Sequence, residues 1–346
     1  MKVIRDRLLL ILAVSVLMLA GYGCSEEEMI EPEPEPEPVW ERIQGIGSGA
    51  IASMKFDSND NLYVLKNSNR KVLFRSPDGG NTWATTDTVA IGTAYLGNIS
   101  SFCLKGSTLL VGTREGRIFS SDDNGNTFTF VDSIGRPQFK DIRHMESGPG
   151  DYVYAAVYGY AVCWSSDGGV TWVDTIGVAT TGVAPTDNAD YTAMEIDSDG
   201  CLYMGCWAGD SYQSCDYAGS WQPLPKIKNH ELETITAIVM GENDLLACGF
   251  TRGFAIYRGD TTWVLKTPGL RDGNSDIRCL GMTSNNVLYA GTIYDGVYRT
   301  NWGEWVWRPV NDGLDLTELK ITNMVIDSDN NIYFGTVERG IWRSLW

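Results

Sequence analysis

Histidine is nearly absent from this chain: 346 residues hold only His144 and His230. Neither has a serine or cysteine and a carboxylate spaced around it as a nucleophilic triad requires. Basic residues are also scarce, with 27 Lys and Arg against 44 Asp and Glu, a net charge of −17. A phosphate backbone or an anionic membrane surface is repelled by such a chain, which excludes nucleic acid as a partner. No Cys-x-x-Cys occurs among the seven cysteines that follow Cys24 (Cys103, Cys163, Cys201, Cys206, Cys215, Cys248 and Cys279), so zinc-site spacing is missing. The apolar run from Leu8 to Ala20 falls short of the roughly 20 residues that cross a bilayer.

That run has another use. Lys2, Arg5 and Arg7 precede it and small residues follow it up to Cys24, the pattern of an export signal. Leu19 to Cys24 resembles a bacterial lipobox, which implies cleavage after residue 23 and lipidation of Cys24. Beyond it come Ser25-Glu26-Glu27-Glu28 and a Glu-Pro alternation from Glu31 to Pro38. Prolines favour an extended polyproline II chain and neighbouring glutamates repel, so residues 24–38 read as a stiff tether. Acidic residues directly after a lipidated cysteine resemble the signal that sends lipoproteins of some Gram-negative lineages to the outer surface. The expected location is the outer membrane, reached through the lipid alone.

Export permits disulfides. Cys201, Cys206 and Cys215 fall in one predicted hairpin and could supply a pair; buried free cysteines acting as small apolar residues are the equal alternative.

The rest of the chain is repetitive. Ser76-Pro-Asp78-Gly-Gly80-Asn-Thr82-Trp83 recurs as Ser121-Asp-Asp123-Asn-Gly125-Asn-Thr127-Phe128 and as Ser165-Ser-Asp167-Gly-Gly169-Val-Thr171-Trp172. Weaker copies end at Trp221, Trp263 and Trp307, so the closing aromatics are 45, 44, 49, 42 and 44 residues apart. A period of this size is one four-stranded propeller blade. The motif resembles the Asp-box (BNR) repeat of sialidases, xyloglucanases and photosystem II assembly factors, which implies a β-propeller. Its Ser, Asp and Gly are turn residues and its aromatic packs between sheets, so the box is structural.

Upstream of the boxes, Leu62-Tyr63-Val64, Val153-Tyr154-Ala155, Leu202-Tyr203-Met204-Gly205, Leu288-Tyr289-Ala290-Gly291 and Ile332-Tyr333-Phe334-Gly335 read as second strands. The phrase Ile326 to Thr336 is also similar to propeller repeats of two-component sensors. After Ser344 the chain stops at Trp346, before a seventh box can form, yet Trp40 stands 43 residues ahead of Trp83. The N-terminal strand is therefore expected to complete the last blade and leave no open edge. The reading is an all-β, single seven-bladed propeller over residues 39–346, with four-stranded antiparallel blades, as a monomer.

In propellers of this kind the ligand face carries the loops between second and third strands, with the Asp-boxes on the opposite rim. By register those loops bring Arg70, Arg114, Tyr158, Tyr160, Trp207, Phe250, Arg252, Tyr294 and Arg339 to the mouth, with Asp210, Asp295 and Glu338 as its carboxylates. Aromatic faces beside charged groups suit a glycan or an envelope or host protein. The link from Asp174 to Tyr191 is expected to form a lid.

Chemistry is harder to find. Sialidases carry an early [FY]-R-I-P segment, and the nearest string here, Phe74-Arg75-Ser76-Pro77, runs into a box turn and lacks the isoleucine. Propeller glucanases place two carboxylates between two tandem propellers, and this chain has one. Asp210, Asp295 and Glu338 would serve as acid and base were it a glycoside hydrolase. Asp327, Asp329, Asn331 and Glu338 mimic calcium-loop spacing, but Ile332 occupies the glycine position, so a turn is the reading and no metal or cofactor is expected. The sequence points to a non-catalytic binding platform. A hydrolase is the alternative, and an assembly factor, by analogy with single propellers that help build photosystem II, is a third.

Overall fold

The computed structural model describes residues 36–67, 72–85, 98–138, 140–173, 191–242, 245–259, 262–271 and 275–346. Cys24, Arg70 and the link at 174–190 lie outside them, and with them the expected lipidation, one mouth arginine and the lid.

Strands follow the repeat. Seven antiparallel sheets form, six of them with their strands side by side in sequence and the seventh joining the two ends of the propeller. Blade 1 comprises Ala50–Phe56, Leu62–Asn67, Val72–Ser76 and Ala84–Thr85, and blade 2 Ile99–Lys105, Thr108–Thr113, Arg117–Ser121 and Thr129–Ser133. Blade 3 has three strands, Ile142–Ser147, Val153–Val157 and Ala161–Ser165, and an isolated Trp164–Val173 bridge stands where a fourth was expected. Blades 4 to 6 begin at Tyr191, Ile235 and Ile277 and keep four strands each. Blade 7 takes Ile321–Ile326, Ile332–Thr336 and Ile341–Leu345 from the C-terminus and Val39–Arg42 from the N-terminus.

Closure occurs at the expected residues. Val39 pairs with Leu345, Trp40 with Ser344 and Arg42 with Trp342. Trp40 is buried, stands edge-on to Phe334 at 4.9 Å and donates its indole N–H to the Val310 carbonyl at 2.6 Å. Trp83, Trp263 and Trp307 make the same bond to the preceding inter-blade link, at Gln44, Pro225 and Lys266. Trp40 thus performs the work of a seventh box aromatic although no seventh box exists.

The complete boxes are closed turns. In blade 2, Ser121 Oγ donates to Asp123 and accepts from the Gly125 amide, while Thr127 donates both its amide and its hydroxyl to Asp123. Those bonds to Thr127 hold the Asp123 carboxyl down to about 2, because they favour the charged form. Asp327 accepts the amides of Asp329 and Asn331 at 3.0 and 2.8 Å, the turn expected of it.

Blades interlock through two devices. A Cβ added to Gly112, Gly205, Gly249, Gly291 or Gly335 of a second strand would stand 2.4–2.7 Å from Ile142, Ile235, Ile277, Ile321 or Ile51 of the next blade. Only a residue without a side chain lets that isoleucine approach so closely. The second device is a clasp to the same residue. Ser101 donates to the Ile142 carbonyl at 2.8 Å, Thr192 to that of Ile235, Thr236 to that of Ile277, and Thr322 to that of Ile51 at 3.0 Å.

Candidate functional site

Antiparallel strands alternate ends, so the first strand of each blade starts at the mouth, where the loops between second and third strands also lie. All seven first strands carry a bulge one residue past their entry, seen as a register shift between Ile51 and Ser53, Ile99 and Ser101, Ile142 and His144, and likewise around the ring. A bulge leaves its extra residue unpaired and re-aims it. Here the extra residues ring the top of a central cavity of about 300 Å³.

In five blades that residue is small or hydroxylic: Ala52, Ser100, Thr192, Thr236 and Thr322. In blades 3 and 6 it is Arg143 and Arg278. Both belong to the same three residues, Asp141-Ile142-Arg143 and Asp276-Ile277-Arg278, and two blades separate them on one side of the ring and three on the other. The two stations therefore face each other across the mouth. Arg143 Nε donates to Asp141 at 2.9 Å and its guanidinium lies 4.3 Å from the Tyr158 ring centre, a cation–π contact. Arg278 donates to Asp276 at 2.8 Å.

These stations are incompletely satisfied. Asp141 Oδ1, Asp276 Oδ1 and Arg278 Nε are buried and make no hydrogen bond among the described residues. Burial pushes the Asp276 carboxyl above its usual range although Arg278 pulls it down. A buried group left without any partner costs about 1–3 kcal/mol, and of these three residues Arg278 lines the cavity whereas Asp141 and Asp276 stand behind it.

One residue or two deeper along the first strands the cavity is lined by Met54, Met145, Met194 and Met324. One residue further on, Lys55 and Glu146 pair at 2.5 Å. Burial works against the Lys55 ammonium, but Glu146 outweighs it and raises the pKa. His144, at the level between, hydrogen-bonds the backbone of Tyr191, and burial keeps its pKa below the ordinary value.

The residues singled out from the sequence divide into three groups. Trp207 and Tyr294 project from the mouth with 65% and 67% of their surface exposed, far more than large rings usually show. Arg252, Arg339, Asp210 and Asp295 form ion pairs with Glu233, Asp315, Lys226 and Arg271 at 3.1, 3.9, 3.1 and 3.0 Å. Exposed pairs of this kind are worth at most about 1 kcal/mol and exchange partners readily. Arg114 and Glu338 are exposed, and Tyr158 is part of the blade 3 station.

Phe250 and Tyr160 are corrected to the core. Phe250 is fully buried and packs against His230 at 5.1 Å, and Tyr160 is buried with Arg136 over its ring at 5.2 Å. Phe250 ends a second strand and Tyr160 immediately precedes a third, and alternation alone does not say which face of the sheet such a residue takes.

Sequence reasoning missed Asp141, Arg143, Asp276, Arg278 and Leu232. The Asp-Ile-Arg triplet occurs twice in equivalent places in the repeat, and that repetition was the available signal. Leu232, 81% exposed, is an isolated leucine between glutamates. Its link abuts the Trp207 loop, where a Cβ on Gly209 would meet the Glu231 carbonyl at 2.6 Å. The disulfide joins Cys201 to Cys215, and the other five described cysteines are buried thiols, Cys206 among them.

These features define the class: a single seven-bladed β-propeller with arginines on opposite sides of its central cavity. No family model matches the chain, and no curated protein sequence is similar enough to count as a relative. Solved structures share the fold. YCF48 bound to D1 peptide superposes with a TM-score of 0.70 at 14% identity, over 90% of this chain and 98% of that one. YCF48 from Cyanidioschyzon merolae gives 0.69 at 12%, over 88% and 98%. A catalytically inactive virginiamycin B lyase from Staphylococcus aureus with Quinupristin gives 0.70 at 10%, over 90% and 100%. The extracellular domain of BT4673 from B. thetaiotaomicron gives 0.68 at 17%, and there this chain spans only 40% of the neighbour.

Proposed function

We propose that this chain is a non-catalytic binding platform whose mouth takes a segment of another protein. The pair of opposed Asp-Ile-Arg stations carries the reading. A polypeptide offers carbonyl or carboxylate oxygens to the guanidinium groups of Arg143 and Arg278, both of which line the cavity. Exposed Trp207, Leu232 and Tyr294 supply the apolar anchors of a protein contact. The fold is compatible, since a structural neighbour holds a peptide. On this reading residues 1–23 are an export signal, Cys24 carries the lipid, residues 24–38 are the tether, and the propeller stands off the outer membrane as a monomer.

The hydrolase alternative has less support. Asp210 and Asp295 are each held by a cation on different blades, and Glu146, the carboxylate that lines the cavity, is spent on Lys55.

Selection of a displayed peptide library on the purified protein, beside a glycan array, tests the proposal. Peptides bearing acidic and apolar residues are expected to enrich. Their affinity should fall at least about tenfold, one lost charged contact, in Arg143→Gln/Arg278→Gln and in Trp207→Ala/Tyr294→Ala, with unchanged melting. Retention of glycans with no enriched peptide would overturn the reading in favour of a sugar at the mouth.

A further inference from the structure

Blade 4 departs from its neighbours at the rim opposite the mouth. In blades 1 to 3 the two residues after the box aspartate, Gly79–Gly80, Asn124–Gly125 and Gly168–Gly169, take positive φ, a conformation cheap for glycine and tolerated by asparagine. In blade 4 those places hold Tyr217 at φ 60° and Ala218 at φ 62°. The turn itself is intact, because Asp216 still accepts from Ser214 and from the amide and hydroxyl of Ser220. A strained tyrosine has replaced glycine inside a working turn.

Ala218 has a packing reason, being buried between blades 3 and 4. Tyr217 is not buried and remains 45% exposed. Its ring lies on that of Tyr152, from the neighbouring blade, with centroids 4.2 Å apart and planes at 13°. Trp164 flanks both, at 6.0 Å from Tyr152 and 6.3 Å from Tyr217. The hydroxyls of Tyr152 and Tyr217 share a hydrogen bond. The disulfide ends at Cys215, two residues from Tyr217, and so stiffens the hairpin that presents the ring. Strain held at an exposed side chain by a rigid surround is a mark of a binding site.

We propose that Tyr217, backed by Tyr152 and flanked by Trp164, forms a second binding site, an aromatic platform on which an uncharged hexopyranose unit of a polysaccharide stacks. A sugar ring stacks its C–H face on an aromatic face, and the tyrosine hydroxyls can meet its polar edge. Rings laid one on another leave no cage for an ammonium group. Asp151 and Asp216, next in sequence to Tyr152 and Tyr217, and the chain's charge of −17 disfavour an anionic sugar. A second copy of the chain would need about 800 Å² per partner. Three aromatic side chains offer roughly 150–250 Å² each even when fully free, and Tyr152 and Trp164 are already mostly covered. A single sugar unit is the occupant of matching size. The platform lies at the end of the blades remote from the Asp-Ile-Arg stations and does not depend on them.

Affinity electrophoresis of the whole chain through gels holding xyloglucan, glucomannan, galactomannan or a mixed-linkage β-glucan tests this. At least one is expected to retard it. Tyr217→Gly and Tyr217→Asn should lose that retardation at least about tenfold, as expected when a stacked aromatic is removed, while Trp207→Ala/Tyr294→Ala keeps it. Because Tyr217→Gly also removes strain, its melting temperature should be equal to or above that of the parent chain. The proposal is overturned if no neutral polysaccharide retards the protein, if retardation survives both Tyr217 substitutions, or if Tyr217→Gly melts lower, which would make the ring a packing element.

Discussion

Burial pushes the Glu195 carboxyl up to about 8, the nearby Glu146 charge adds to this, and Lys55 opposes it. A raised carboxyl next to a second carboxylate has the outline of a general acid. Glu195, however, is in register with Lys55 and Glu146, one residue past the methionines that line the cavity, so it is better understood as a neutral member of a buried structural cluster. That neutrality is testable. An unfolded glutamate releases its proton near 4.5, whereas the folded one holds it to about 8. The native state therefore loses stability as the pH climbs from 4.5 to 8 and is unaffected below that window. Glu195→Gln, which keeps the neutral form, should melt with the parent chain at pH 4.5 and several degrees above it at pH 9. A gap that does not change with pH would show that Glu195 is solvated and ionised in the native state. Nothing in the string Thr192 to Tyr203 marks Glu195 as special, because its burial, the largest cause of the shift, and the nearby Glu146 charge of another blade arise only on folding.

Strands and turns carry the junctions between blades. The glycine of each Leu-Tyr-x-Gly phrase was legible as a strand marker, and the structure gives its physical reason in the isoleucine of the next blade. Gly249→Ala places a Cβ 2.4 Å from Ile277 Cγ2, an overpacking that should cost about 1–3 kcal/mol. Adding Ile277→Val, which removes a methyl group from the crowded residue, is expected to recover part of the loss, and a double-mutant cycle by chemical denaturation measures the coupling. Simple additivity would mean that the two side chains do not meet. The bulge at the head of every first strand was not legible. A bulge is a mismatch between two strands, and neither strand's own sequence records it. For the same reason the two Asp-Ile-Arg triplets carried no weight until pairing placed both arginines in the unpaired position.

The ring as a whole depends on one short strand. Trp40→Ala removes a buried ring, its contact with Phe334 and the bond to Val310, and should cost about 3–5 kcal/mol. It should also free the edge of Ile341–Leu345, which then invites pairing with other chains. Thermal melting followed by gel filtration is expected to show a lower midpoint and a new oligomeric fraction. Tyr160→Phe, which keeps a buried ring in place, should show neither. An unaltered midpoint for Trp40→Ala would place closure elsewhere.

The sequence by itself determined the strand-and-turn unit, its sevenfold count and the pairing of the two ends, because these follow from local chemistry: turn residues, alternation and a constant period. It also fixed which loops crowd the mouth. What only the tertiary structure decided is which residues meet across blades: Arg143 with Arg278 around one cavity, Cys201 with Cys215 rather than Cys206, Phe250 inside rather than out, and Tyr217 upon Tyr152. Those encounters join residues dozens of positions apart through the bulged register and the closure of the ring, and no periodicity within a single repeat encodes them.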